Sequence, residues 1–228
     1  MTTAQKSKLW YFENFNILKS MSKKEMMELS EKTSMKNAAK SEKIYLPGDK
    51  SHSIYFLKEG KVKISTYSED GKELTHAIVG PGELFGEQAI AGETEQAHVA
   101  ESTEDAVICT IRVDEFERFM EKNPQLNLQV TKLIGFRLKK IQTRLEALWF
   151  KKAPDRIKQV LNDLAEDHGR KVGDEVVIEL KLTHQDLASL TATTRQTVTT
   201  VMNQLEKDGI LNYDRKKILI HEPEELRK

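Results

Sequence analysis

Leu182 to Leu211 reads LTHQDLASLTATTRQTVTTVMNQLEKDGIL, and its punctuation divides it into two short helices. Thr183 is placed to cap the first, Asp186 three residues on completes a capping box, and Leu187 and Leu190 supply the buried side. Thr191-Ala192-Thr193 interrupts the periodicity and predicts a three-residue turn. In the second helix Val198, Val201, Met202 and Leu205 fall at i, i+3, i+4 and i+7, so Arg195, Gln196, Thr199, Thr200 and Asn203 face outward. The β-branched run Thr197 to Val201 also has strand propensity. Strict alternation, however, would bury Thr197 and Thr199 beside Val201, whereas the helical stripe is wholly apolar. Two helices joined by a tight turn, with Arg, Gln, Thr and Asn exposed, have the layout of a DNA reader. Arg bridges guanine O6 and N7, Asn and Gln address adenine, and a Thr methyl packs on thymine's methyl. Two short packed helices also occur in proteins that never touch nucleic acid, so the surroundings must decide.

The chain has 228 residues, enough for two small domains with their own cores. Its 36 basic and 36 acidic residues cancel, so no general electrostatic pull towards nucleic acid is visible. Cys109, the only cysteine, lies in the apolar run Val107 to Ile111 and reads as a buried thiol, which excludes a disulfide scaffold and an iron–sulfur cluster. His52, His76, His98, His168, His184 and His221 are scattered, with no metal-ligand spacing, and neither a metal nor another cofactor is expected. MTTAQKSKLW lacks a signal-peptide core and no run approaches a membrane span, so a cytoplasmic protein without membrane contact is expected.

Upstream, Ser22 and Glu25 form another capping box, opening a helix expected to bury Met26, Met27 and Leu29. From Ile44 to Ile111 short apolar runs alternate with glycines, the texture of a β-barrel or β-roll, with Asp70-Gly71 its clearest hairpin turn. Asn123-Pro124 then starts a long helix of about 40 Å. Ile134, Leu138, Ile141, Leu145 and Leu148 follow a 4-3-4-3 spacing on it, a heptad seam suited to a homodimer, while Leu133 and Phe136 are expected to face the β-roll. A long helix packed only on its own domain has the same spacing. Pro154 marks a hinge. Beyond it come another helix, a strand at Val176 to Leu180, the helix pair, and a hairpin whose tip, Asp214-Arg215-Lys216-Lys217, suits a phosphate backbone or an ordinary solvated turn. The expected architecture is α+β: a jelly-roll-like antiparallel β-roll sensor over 1–123, a dimerisation helix and hinge over 124–152, and a winged helix-turn-helix over 153–228.

Three segments together resemble the CRP/FNR superfamily of bacterial transcription regulators: Ile44 to Asp49 with Ile54 to Ile64, Gly80-Pro81-Gly82-Glu83-Leu84-Phe85-Gly86-Glu87, and Thr194-Arg195-Gln196-Thr197-Val198. The resemblance implies a homodimer on a two-fold symmetric site of double-stranded DNA, with recognition helices roughly 34 Å apart, and RNA polymerase as a further partner. It implies base reading by Arg195 and Gln196 with Thr199 and Thr200 beside them, and phosphate contacts by His184 and Gln185; Thr194, Asn203 and Lys216 complete the candidate DNA-binding set. At Ala192 the family's turn usually has Gly, which matters if the position requires φ > 0.

The resemblance also locates an effector pocket at Gly86, Glu87, Gln96, Ala97, Ile141 and Gln142. Members that bind cyclic AMP carry an Arg-Ser pair where Gln96-Ala97 stands, and a Thr-Ser pair where Ile141-Gln142 stands. A cyclic phosphate needs a cationic fork that Gln96 lacks. The effector is therefore expected to be an unidentified small molecule other than cyclic AMP, or none. Glu87 remains where those members hold the ribose, although a Glu after Gly86 also suits plain backbone hydrogen bonding. His76 and His98 each read as a solitary structural histidine. A rival reading makes the chain a ligand-binding signalling module whose C-terminal domain contacts protein. An enzyme is not expected, because no nucleophile–base set or Walker loop is present.

Overall fold

Two four-stranded sheets wrap the N-terminal part of the chain. Their strands are β1 (Ser34–Ala38), β2 (Lys43–Tyr45), β3 (Ser53–Glu59), β4 (Val62–Tyr67), β5 (Glu73–Val79), β6 (Glu83–Phe85), β7 (Val99–Ser102) and β8 (Ala106–Arg112). The orders are β1-β8-β3-β6 and β2-β7-β4-β5, with antiparallel pairing of β3 to both β6 and β8. The computed structural model describes residues 12–13, 15–214 and 216–227. They form two compact units: the chain up to Thr66 with His76–Lys139, and Tyr67–Thr75 with Lys140 onward.

Alternation along β3 builds two cores at once. Leu57 joins Tyr45, Val62, Val79, Phe85 and Ile108 inside the roll. Ile54 and Phe56 turn the other way, where Phe56 meets Phe12, Phe15 and Phe116 edge-on at 5.4–5.7 Å. This second core lies under α1 (Lys23–Lys32), α2 (Val113–Lys122) and the start of α3 (Pro124–Phe150). Gly60 is required where it stands: with φ +82°, a Cβ there would meet the Asp105 carbonyl oxygen at 2.3 Å. The Asp70-Gly71 turn forms, with Ser68 N donating to Lys72 O at 2.9 Å. Strands β1, β6 and β7 have no counterpart in the sequence pattern, because Ser34-Met-Lys-Asn-Ala and the other two carry little apolar alternation.

Both halves of the Ser22–Glu25 capping box form on α1. Met26 and Leu29 are buried, but Met27 is 52% exposed and is not a core residue. Asn123 Oδ1 accepts from Leu126 N and opens α3. Leu126 and Val130 are buried and Leu133 packs beside them. Phe136, expected to face the roll, is 65% exposed, since it sits about 90° around the helix from that stripe. Ile134, Leu138, Ile141, Leu145 and Leu148 are all exposed.

In the second unit α4 (Ala153–His168) starts with Pro154 in its first turn and buries Ile157, Val160, Leu161 and Leu164. Strands β9 (Gly169–Val172) and β10 (Glu175–Ile178), helices α5 (His184–Thr191) and α6 (Arg195–Lys207), then β11 (Leu211–Tyr213) and β12 (Ile218–Ile220) complete it. Its sheet runs β11-β12-β10-β9, and α4 packs on both α5 and α6. This is a winged helix-turn-helix, and β9 is the strand that the sequence pattern does not mark.

Candidate nucleic-acid interface and effector pocket

Thr183 and Asp186 close their capping box on α5, with Asp186 N donating to Thr183 Oγ1 at 3.1 Å and Thr183 N to Asp186 Oδ2 at 2.9 Å. The helix stops at Ala192, whose φ of +48° is left-handed. Arg156 secures that stop by donating from Nε to Thr191 O at 3.0 Å and from Nη2 to Ala192 O at 3.1 Å. Thr194 then caps α6, accepting from Thr197 N at 3.1 Å; its hydroxyl is thereby engaged at the helix start. Val198, Met202 and Leu205 are buried as the stripe requires, and Val201 is half-buried.

Arg195, Gln196, Thr200 and Asn203 are exposed on α6, as is Gln185 on α5. Thr199 is half-buried. The Thr199 and Thr200 hydroxyls donate back to Arg195 O and Gln196 O at 2.9 and 3.1 Å, which leaves their methyl groups and the lone pairs of Thr200 for any outside partner. Thr199 Oγ1 also lies 2.8 Å from His184 Nδ1. Because the hydroxyl proton goes to Arg195 O, Nδ1 is the donor and the neutral imidazole keeps its lone pair on Nε2. Burial, then the charge of Arg195, hold His184 below its ordinary range. The His184 ring sits 5.4 Å from that of Tyr213, whose hydroxyl donates to Asn203 Oδ1 at 2.8 Å. Between β11 and β12, Asp214 Oδ1 accepts from Lys216 N at 2.6 Å and Lys217 N at 3.0 Å, closing the wing tip. Arg215 lies outside the described residues.

The candidate residues of the roll are held differently. Gly86 takes φ +80° and crowds Tyr55, a Cβ there falling 2.7 Å from the ring. Glu87 follows and forms an ion pair with Arg137 of α3, their side chains 18% and 22% exposed. Arg137 also donates to Leu84 O at 2.5 Å. Glu87 is thus held by a guanidinium rather than by backbone alone. Tyr55 and Phe85 stack at 4.9 Å with Tyr45 beside them, and burial together with the Glu87 charge pushes the Tyr45 phenol up. His76 and His98, read as solitary, are partners: their rings meet edge-to-face at 4.5 Å, and His76 Nε2 lies 2.6 Å from Thr66 Oγ1. The fold of the roll brings together two residues that the sequence keeps apart. Gln96 is 4% exposed, and its amide donates to Ser51 Oγ at 3.1 Å, so it fixes a loop. Ala97 is exposed, while Ile141 and Gln142 are exposed on the part of α3 that belongs to the second unit.

Arg137, Tyr213 and Arg156 escape sequence reading. A signal for Arg137 exists: a carboxylate following a buried aromatic strand needs a cation, and α3 supplies one between Phe136 and Leu138. Nothing local marks Tyr213, whose partner is 10 residues away, or Arg156, two of whose three carbonyl partners are 35–36 residues away. Among the described residues no group of three or more His, Cys, Asp or Glu could hold a metal ion, and no helix is long and apolar enough to cross a membrane.

A cyclic nucleotide-binding domain model matches residues 35–123, and a Crp-like helix-turn-helix domain model matches residues 155–228. The global nitrogen regulator of Nostoc sp. is 28% identical over 182 residues, covering 79% of this chain and 82% of its own. A CooA mutant from Carboxydothermus hydrogenoformans superposes with a TM-score of 0.74 at 27% identity over 86% of this chain and 87% of that one. A CRP/FNR-family transcriptional regulator from Thermus thermophilus gives 0.65 at 27% identity, with 85% and 96% covered. With a cyclic nucleotide-binding β-roll ahead of a Crp-like helix-turn-helix, the chain belongs to the CRP/FNR superfamily of DNA-binding transcription regulators.

Proposed function

We propose that the chain acts as a homodimer on a two-fold symmetric DNA site, controlled by an effector other than cyclic AMP or by none. The observation that carries the reading is α6, whose apolar stripe is internal while Arg195, Gln196, Thr200 and Asn203 stand exposed as a polar fork set. Arg195, Gln196 and Thr200 would meet base edges, with Thr199 and Asn203 alongside. Gln185 and Lys216 would meet phosphates, as would His184 on taking up a proton at Nε2, and Thr194 would hold the start of α6 against the backbone. The exposed seam from Ile134 to Leu148 supports dimerisation, since five large aliphatic side chains in 4-3-4-3 spacing favour a second copy. On this reading 1–123 senses, 124–152 dimerises and 153–228 reads DNA, and a promoter-bound dimer touches RNA polymerase.

The Glu87–Arg137 pair supports the effector reading. Arg137 supplies the cation an anionic ligand would need, but it is already engaged by Glu87 and by the Leu84 carbonyl. Replacing both Leu138 and Leu145 with Glu should give monomers in sedimentation and abolish binding to a consensus selected from random DNA. A dimer that persists in this variant would refute the seam. Excess cyclic AMP should leave the melting temperature unchanged, because only a ligand of the folded state stabilises by mass action; a rise of several degrees would refute the effector reading.

A further inference from the structure

Tyr213 stands on the wing, outside the helix pair, yet it reaches the outward face of α6. A free Asn amide offers an acceptor and two donors and turns to suit the base edge it meets. Adenine is read through both functions together, N7 accepting and N6 donating. In this protein the carbonyl end of Asn203 is turned to the phenol, which donates to Oδ1 at 2.8 Å and leaves the NH2 end for an outside partner. The phenol is itself held in place by its ring contact with His184, which is tied through Nδ1 to Thr199. Burial, then the Glu206 charge, keep Tyr213 above its ordinary range, so it remains a donor at neutral pH.

We propose that Tyr213 is a specificity-determining positioning residue: by holding the Asn203 carbonyl, it turns Asn203 into a donor-only reader that selects a carbonyl edge, guanine O6 or thymine O4, over adenine, whose N6 presents a donor in that place. This inference rests on the DNA-binding reading above.

The test selects bound sequences from a random duplex pool with the full chain and with its Tyr213→Phe, Asn203→Ala and doubly substituted variants, each checked by its melting temperature. Tyr213→Phe should reduce discrimination about tenfold at the one base pair that Asn203→Ala also affects, the order a single well-placed base contact supplies. Adenine should become accepted there, other positions should keep their preference, and Tyr213→Phe should add nothing in the Asn203→Ala background. Asn203→Asp, which retains an acceptor for the phenol but offers no donor, should move the same position towards cytosine, whose N4 donates. An unchanged consensus for Tyr213→Phe beside an altered one for Asn203→Ala overturns the proposal alone. So does a uniform loss at every position, the mark of a structural role. A native chain that enriches no sequence overturns the DNA reading and this proposal with it.

Discussion

The surroundings of Glu87 in the β-roll and the outward face of α6 are both rich in polar side chains, but they use them differently. In the roll, Glu87 faces Arg137, Arg137 also holds a carbonyl, His76 meets His98, and Gln96 is buried on Ser51. On α6, Arg195, Gln196 and Thr200 project into solvent, and the bonds that order the helix come from Thr194 and the threonine hydroxyls. Any ligand of the roll would have to replace interactions that already satisfy mostly buried charge, and would be selected by what it offers Glu87 and Arg137. A partner meeting α6 displaces only water. Preorganisation thus means self-sufficiency in one region and readiness in the other.

Removing one partner from the self-satisfied pair should have the largest effect. Arg137→Ala strands a mostly buried carboxylate, and after allowance for its residual exposure should cost roughly 2–3 kcal/mol in urea unfolding. The double variant Glu87→Gln with Arg137→Met should recover most of this. If Arg137→Ala unfolds like the native chain, the Glu87–Arg137 pair is no more self-dependent than the reading face. Arg195→Ala should reverse that pattern, losing about 1–3 kcal/mol on a preferred DNA site and little on random DNA. Its unfolding midpoint should stay put, and a matching fall in stability would show that Arg195 holds the fold. Ala192→Gly tests whether readiness carries backbone strain. With φ at +48°, glycine should add about 0.5–1 kcal/mol of stability without changing sequence preference. The smallest effect concerns His98, which burial holds below its ordinary range against the pull of Glu87. The folded state then takes up that proton less readily than the unfolded chain, so this stability is complete above about pH 6.5 and is lost as pH falls through the window below it. Urea midpoints at several pH values should therefore decline less steeply for His98→Gln.

Sequence legibility follows the locality of the forces. The helix pair is readable because capping boxes and a 3.6-residue stripe operate within a few positions, and the structure has Thr183, Asp186, Val198, Met202 and Leu205 in those places. The roll is readable where glycine turns flank apolar runs, as in β3 and β8, and opaque at Ser34–Ala38 and Val99–Ser102. There the strand exists because neighbours pair with it. Phe136 and Met27 mislead because hydrophobicity alone does not fix the side of a helix. In the candidate site, Gly86 and Glu87 are legible and Arg137 is not. Their pairing depends on a crossing of the chain much further along, and the His76–His98 contact likewise joins residues 22 positions apart that only the folded roll brings together.

Arg156 carries a consequence for how this turn tolerates sequence change. Three carbonyls, those of Lys151, Thr191 and Ala192, converge on its one guanidinium. An arginine borrowed from another helix thus braces a turn that holds Ala192 at a left-handed φ. The two sites should behave epistatically: Ala192→Gly should stabilise a chain carrying Arg156→Ala more than it stabilises the native chain, as urea unfolding of the two backgrounds would show.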